Sequence, residues 1–203
     1  MHFRRCFLFL ILAYLQLTHQ AAAAGSPLVI LMPGGTGAPK SSDFLIRNRS
    51  AFELAGFDTF VSSTAQNAVE AAKSARANGR KIFLVGISFG VDRSVAALAS
   101  GAPADGAVFY SGAYLFAQSR LGTPNRLPRT LLVHHRGDLC PNTSPANAEN
   151  FMAWSGGRVA KIVWINSSGG EDLWICGPRG AHGFFMKDRE PISAGIAFLK
   201  SQL

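Results

Sequence analysis

One stretch, Lys81-Ile-Phe-Leu-Val-Gly-Ile-Ser-Phe-Gly90, constrains this chain more than any other. An apolar run of strand type (residues 82–85) meets Gly86-Ile-Ser-Phe-Gly90, and an Ala-rich segment of helical type follows over residues 91–100. G-x-S-x-G set between a strand and a helix is a sharp turn that lifts the serine hydroxyl clear of the backbone. Glycine is required on both sides of it, because a Cβ there would meet the neighbouring strand and helix. The five-residue pattern alone is weak: chance supplies roughly 0.2 matches in a chain this rich in glycine and serine. The flanking elements carry the weight, and they make Ser88 a candidate nucleophile. The plainer reading is an ordinary strand-to-helix turn in which Ser88 caps the next helix.

Residues 1–24 read as a secretory signal peptide. Arg4 and Arg5 supply a positive start, residues 7–17 an apolar core, and Thr18-His-Gln-Ala-Ala-Ala-Ala24 several small-residue cleavage sites. That core falls well short of the ~20 apolar residues a spanning helix needs. With the leader removed, residues 25–203 form one domain, and the formal charge falls from +8 to +6 as the two arginines leave. The remaining excess is scattered, which excludes the basic stripe of a nucleic-acid footprint. No segment beyond the leader is apolar for long enough to anchor the chain in a membrane. Export places the protein in the periplasm or outside the cell, where Cys140 and Cys176, an even pair, are expected to form a disulfide. Closing that loop stabilises the fold by roughly 4 kcal/mol in the chain-entropy account.

Along the chain, strand and helix patterns alternate. Apolar runs at 28–32, 57–61, 82–85, 106–110, 129–135 and 161–165 read as strands, several without the alternation of a half-exposed sheet. Helical patterns fall at 43–55, 65–78, 91–100, 147–154 and 191–199. Glycines at 56 and 79 stand where helix stops belong. Residues 111–128 read as a loop with one helical turn, and residues 166–183 as a long glycine-rich loop. The expected fold class is therefore α/β: a single three-layer domain, its mostly parallel sheet of about six strands covered by helices on both faces. The loop Pro33-Gly-Gly-Thr-Gly-Ala-Pro39 lacks both common phosphate-binding glycine patterns, so its use is to offer bare N–H groups to some other anion.

A serine hydroxyl is protonated at neutral pH, so Ser88 needs a base and a third group to orient that base. His2 and His19 leave with the leader, so the base is His134, His135 or His182. His182 is preferred, because it sits in the loop Gly180-Ala-His-Gly-Phe-Phe185 just before the last helix, while the other two end a strand. Asp138, at the end of the fifth strand, is the expected orienting acid, with Asp105 and Asp92 as competitors. Its plainer role is a turn-former in Arg136-Gly-Asp138. Neither H-E-x-x-H nor clustered Cys/His spacing occurs, so no metal or cofactor is expected. Trp174, Tyr114 and Phe116 are candidate pocket walls, though aromatics are more often core.

The order Ser, Asp, His along the chain is that of the α/β-hydrolase template. The sequence resembles that superfamily, nearest to its small lidless members related to dienelactone hydrolase. The resemblance rests on Gly86-Ile-Ser-Phe-Gly90, His135-Arg-Gly-Asp-Leu-Cys-Pro141 and His182-Gly-Phe184. It implies a trimmed sheet lacking the family's first two strands, a Ser88–His182–Asp138 triad and a small-molecule acyl substrate. It further implies an oxyanion hole formed by the N–H of Phe89 and that of Gly35, with Thr36 next. A histidine common in the family's oxyanion loop is replaced here by Pro33-Gly34. The implied activity is ester or related acyl hydrolysis. Its rivals are a peptidase or thioesterase on the same triad, and a non-catalytic binding protein of the same fold.

Overall fold

The computed structural model describes residues 25–166 and 174–203; the expected leader and residues 167–173 of the glycine-rich loop lie outside the described residues. In chain order the elements are β1 Leu28–Met32, α1 Phe44–Arg47, α2 Arg49–Leu54, β2 Asp58–Val61, α3 Ala65–Ala77, β3 Ile82–Ile87 and α4 Phe89–Ala99. They continue with β4 Gly106–Tyr110, α5 Tyr114–Leu121, β5 Thr130–His135, α6 Pro145–Trp154, β6 Val159–Ile165 and α7 Arg189–Lys200. Every residue of β1, β3, β4 and β5 is buried, as expected of strands covered on both faces. β2 and β6, partly exposed, are the two edges.

All strand pairs are parallel, in the order β2-β1-β3-β4-β5-β6. Alternate strand residues serve opposite layers. Ile30, Leu84, Phe109 and Leu132 pack with residues of α3, α4, α5 and α6 on one face. Leu31, Val85, Tyr110 and Val133 pack with residues of α1, α2 and α7 on the other. The chain steps from β1 outward to β2, then returns to place β3 on the opposite side of β1. Neighbouring loops therefore diverge at the carboxyl ends of β1 and β3, which opens the crevice where ligands bind in sheets of this kind.

Two segments differ from their sequence pattern. The single helix expected over residues 43–55 is broken at Asn48, whose φ of −108° is not helical. Its side-chain amide donates to Phe44 O at 2.8 Å and to Asp188 Oδ1 at 2.7 Å, so a tertiary tie to the start of α7 replaces the local ladder. Residues 111–128 hold a full helix, α5, and a 3₁₀ turn at Pro124–Arg126 in place of a loop. Burial of Tyr114 and Ala117 against the core outweighs the flanking glycines and prolines that mask the pattern.

Candidate active site

Ser88 follows β3 directly and stands at φ 55°, ψ −126°, a backbone state that costs a non-glycine residue about 1–3 kcal/mol. The surroundings over-determine it. Ser88 N–H donates to Tyr110 O at 3.0 Å, and its carbonyl accepts from Val91 and Ala113 N–H at 3.0 and 3.1 Å. The two glycines are required by close packing: a Cβ on Gly90 would lie 2.0 Å from Met32 O, and one on Gly86 would lie 2.7 Å from the Gly90 backbone. The chain therefore turns at Ser88 while β1, β3 and α4 stay in contact. Ser88 is also the residue before α4, whose first N–H groups, Phe89 among them, have no intrahelical acceptor.

Asp138 and His182 are brought together from opposite ends of a 44-residue separation. Asp138 lies in the turn after β5, its N–H donating to His135 O at 3.1 Å. Its Oδ1 accepts Cys140 N–H at 3.0 Å, and its Oδ2 lies 3.0 Å from both Thr143 Oγ1 and His182 Nδ1. The carboxylate is wholly buried and His182 nearly so. With Nδ1 turned to the acid, Nε2 is the nitrogen left for another partner. Asp92 and Asp105, the rival acids, are engaged elsewhere: Asp92 with Arg120 at 2.7 Å, and Asp105 with Arg76 and the Ile82 N–H at 2.7 and 2.8 Å. His135 accepts Gly137 N–H at 2.9 Å on Nδ1 and packs its ring on Phe184. His134 is wholly buried between Tyr114 and Trp164, where burial pushes its pKa down to about 4 against the opposing pull of Asp138. Only His182 of the three borders the cavity described next.

Ser88 and His182 share a cavity of about 400 Å³ with Gly35, Thr36, Phe89 and Trp174. The Cys140–Cys176 disulfide, with Cα atoms 4.8 Å apart, forms part of its wall. Trp174 is 64% exposed at its rim. Tyr114 is not a wall, contrary to expectation: it is fully buried among core residues, its hydroxyl 3.4 Å from Phe109 O. Phe116, the third expected wall, also lies outside the cavity lining, its ring packed against Phe89 with centroids 5.3 Å apart. A larger open trough of about 630 Å³ runs along the β2 edge, lined by the Arg49–Glu53 and Arg80–Asp58 ion pairs and by none of Ser88, Asp138 and His182.

Three residues that matter to this geometry escape sequence reasoning. Asp43 caps α1 through Oδ1, which the helix-start signal reveals, but its Oδ2 also accepts Gly34 N–H at 2.8 Å. Arg93, on α4, donates to Gly35 O at 2.8 Å, to Gly34 O at 3.4 Å and to Pro33 O. The loop after β1 is thus gripped on both sides, and the Gly34 N–H is already used. Gly35, at φ 51°, and Thr36 follow it along the cavity. A cation one turn past Phe89 is the only hint of Arg93 in the sequence. Nothing local reveals Thr143.

No metal-binding group of three His, Cys, Asp or Glu residues occurs among the described residues, and no helix among them is long and apolar enough to cross a membrane. No protein-family model and no curated protein matches the sequence. Solved structures do match. An acetyl ester-xyloside bifunctional hydrolase from Caldicellulosiruptor lactoaceticus is 12% identical, with a TM-score of 0.60 over 89% of this chain and 84% of that one. A monoacylglycerol lipase from Paleococcus ferrophilus is 14% identical, with a TM-score of 0.60 over 88% and 97%. Esterase 2 of Thermogutta terrifontis, phosphoramylated by tabun, is 15% identical, with a TM-score of 0.58 over 91% and 86%. The finer likeness to dienelactone hydrolase gains no support from these neighbours. At such identities the likeness is one of fold alone, an α/β-hydrolase fold, and carries no activity with it.

Proposed function

We propose that this chain is a secreted serine hydrolase that cleaves an ester or related acyl bond of a small molecule. One observation carries the reading: the buried Asp138–His182 pair, 3.0 Å apart, borders the same cavity as a serine held in a strained turn between strand and helix. Ser88 Oγ attacks the acyl carbonyl while His182 Nε2 takes the hydroxyl proton. The N–H of Phe89 and that of Gly35 or Thr36 receive the oxyanion, a donor pair in which each member is worth about 3–4 kcal/mol. The carbon–oxygen bond to the alcohol breaks, and His182 returns the proton to the leaving oxygen. Water then gives a proton to His182 and its oxygen to the acyl group, and Ser88 departs with its proton restored. Asp138 holds the imidazole tautomer and balances its charge. Residues 1–24 direct export and are removed, and the disulfide is the covalent device suited to an oxidising compartment.

A fluorophosphonate probe tests the reading, and its choice is supported by the organophosphorus adduct named for the Thermogutta neighbour. Wild-type protein is expected to label and Ser88→Ala not to. Equal labelling of both, or none of either, refutes the nucleophile. Esters, thioesters and peptides offered to the labelled-competent protein then rank the acyl bonds, with esters expected first. Amino-terminal sequencing of the exported protein is expected to begin near Gly25.

A further inference from the structure

His134 is a buried titratable group that the mechanism above does not use. Its side chain is 0% exposed, and neither ring nitrogen has a hydrogen-bond partner among the described residues. A buried imidazole without a well-formed hydrogen bond is costly, and a leucine or phenylalanine would fill the space between Tyr114 and Trp164 more cheaply. The polar edge of the ring is not aimed at random. Nε2 lies 3.6 Å from Asp138 Oδ2, the oxygen that faces His182 Nδ1. That distance is too long for a hydrogen bond, but between two fully buried groups a ring N–H and a carboxylate still interact across it.

We propose that His134 is a positioning residue for the Asp138–His182 pair: neutral, with its proton on Nε2, it acts as a further polar partner of the buried carboxylate and moderates the basicity of His182. The proposal rests on the serine hydrolase reading. Burial keeps His134 neutral at working pH, so one nitrogen carries the only proton, and the facing carboxylate favours Nε2. The groups that face the ring are few. Asp138 and His182 come from the two site loops, His135 from its own strand, and the Thr143 backbone from a 3₁₀ turn at Pro141–Thr143, where it competes as an acceptor. Tyr114 comes from α5 and Trp164 from β6, the latter carrying the Arg136 guanidinium 4.4 Å over its ring. A dipole directed at the carboxylate shares it with the imidazole, so removing His134 is expected to tighten the hold of Asp138 on a protonated His182.

The test compares wild type, His134→Phe and His134→Gln in the pH dependence of kcat/KM on p-nitrophenyl acetate. His134→Phe is expected to move the acidic limb upward by about one pH unit, and His134→Gln, whose amide N–H reaches a similar point, to bring it back toward wild type. A limb unmoved in folded His134→Phe overturns the proposal. ¹⁵N NMR of the imidazoles in wild type is the second arm and needs neither turnover nor a variant that folds. It is expected to find Nε2–H on His134 and Nδ1–H on His182; Nδ1–H on His134 overturns the proposal. Absence of turnover and of fluorophosphonate labelling defeats the hydrolase reading instead, and the NMR titration of His182 in His134→Gln and His134→Phe still decides this one.

Discussion

Ser88 and His182 border one cavity, yet the chain holds them by opposite means. Around Ser88 the grip is steric and backbone-made. Gly90 packs with no room for a Cβ beside Met32 O, Gly86 packs against Gly90, and three main-chain hydrogen bonds close on the serine itself. Around Asp138 and His182 there is no strand-to-helix junction to lean on. Asp138 sits in a turn, His182 in a 3₁₀ turn between loops, and the two are joined by side-chain hydrogen bonds and one disulfide. A turn buried between central strands can be set by packing alone. Loops on the rim of a sheet bury too little apolar area for that, and need polar or covalent ties.

The contrast is broken most severely by Gly90→Ala. Its new methyl would stand 2.0 Å from Met32 O, a backbone atom of the central sheet that cannot step aside. Several kcal/mol of stability and nearly all activity are expected to go, read as a collapse in Tm and the loss of fluorophosphonate labelling. Asp138→Asn attacks the other half and is expected to spare the fold. With the wrong imidazole tautomer favoured, kcat on p-nitrophenyl acetate should fall by about 10³–10⁴, while Tm moves little beside it. A drop under tenfold would mean that the carboxylate 3.0 Å from Nδ1 is not orienting the base.

The disulfide separates the two halves more finely. Cys140 follows Asp138 by two residues and Cys176 precedes His182 by six, so the bridge joins both loops at the cavity wall. Reduction, or Cys140→Ser with Cys176→Ser, is expected to cost up to about 4 kcal/mol of stability. Below the new melting point, kcat should also fall while amide protection in β3 and α4 stays native. Full activity after complete reduction would confine the bridge to a stability role.

How much of this was legible beforehand follows the same division. All six strands, and the sharp turn at Ser88 with its two glycines, can be read because their signals are local: unbroken apolar runs, and a motif whose strand and helix adjoin it. The positions of Asp138 and His182 were inferred from chain order and loop placement, which their 3.0 Å approach fits. Tyr114 differs from its expected place because an aromatic near the start of a helix looks the same in sequence whether it faces a cavity or the core. The α5 helix leaves no clear pattern because its reason to form is Tyr114 and Ala117 packing inward, a tertiary fact. Asp43, Arg93 and Thr143 act through partners distant in sequence or through backbone atoms, which no pattern of residue types records.

Acid sharpens the comparison from the other side. His134 is held neutral in the fold, with its pKa lowered from 6.5 to about 4, chiefly by burial. Between those values the unfolded chain binds the extra proton and the folded chain does not. Stability therefore falls as pH drops through that window and is unaffected by this group above it. The full shift corresponds to about 3 kcal/mol. Urea denaturation from pH 7 to pH 4 is expected to show the loss, and His134→Phe to flatten that part of the slope; an unchanged slope would mean the ring is protonated in the folded core.

The smallest effect is expected at Arg93, which belongs to the half fixed by packing but is itself a polar tie. Its guanidinium joins α4 to the carbonyls of Pro33, Gly34 and Gly35, while Asp43 holds Gly34 N–H from the other side. Lysine offers one donor centre in place of a planar fork and cannot span three carbonyls. Arg93→Lys should therefore leave Tm within a few degrees and lower kcat by about tenfold with little change in KM, because a loosened loop weakens oxyanion contacts made in the transition state. If kcat holds and KM rises instead, the loop shapes the substrate's resting place and the second oxyanion donor lies outside it.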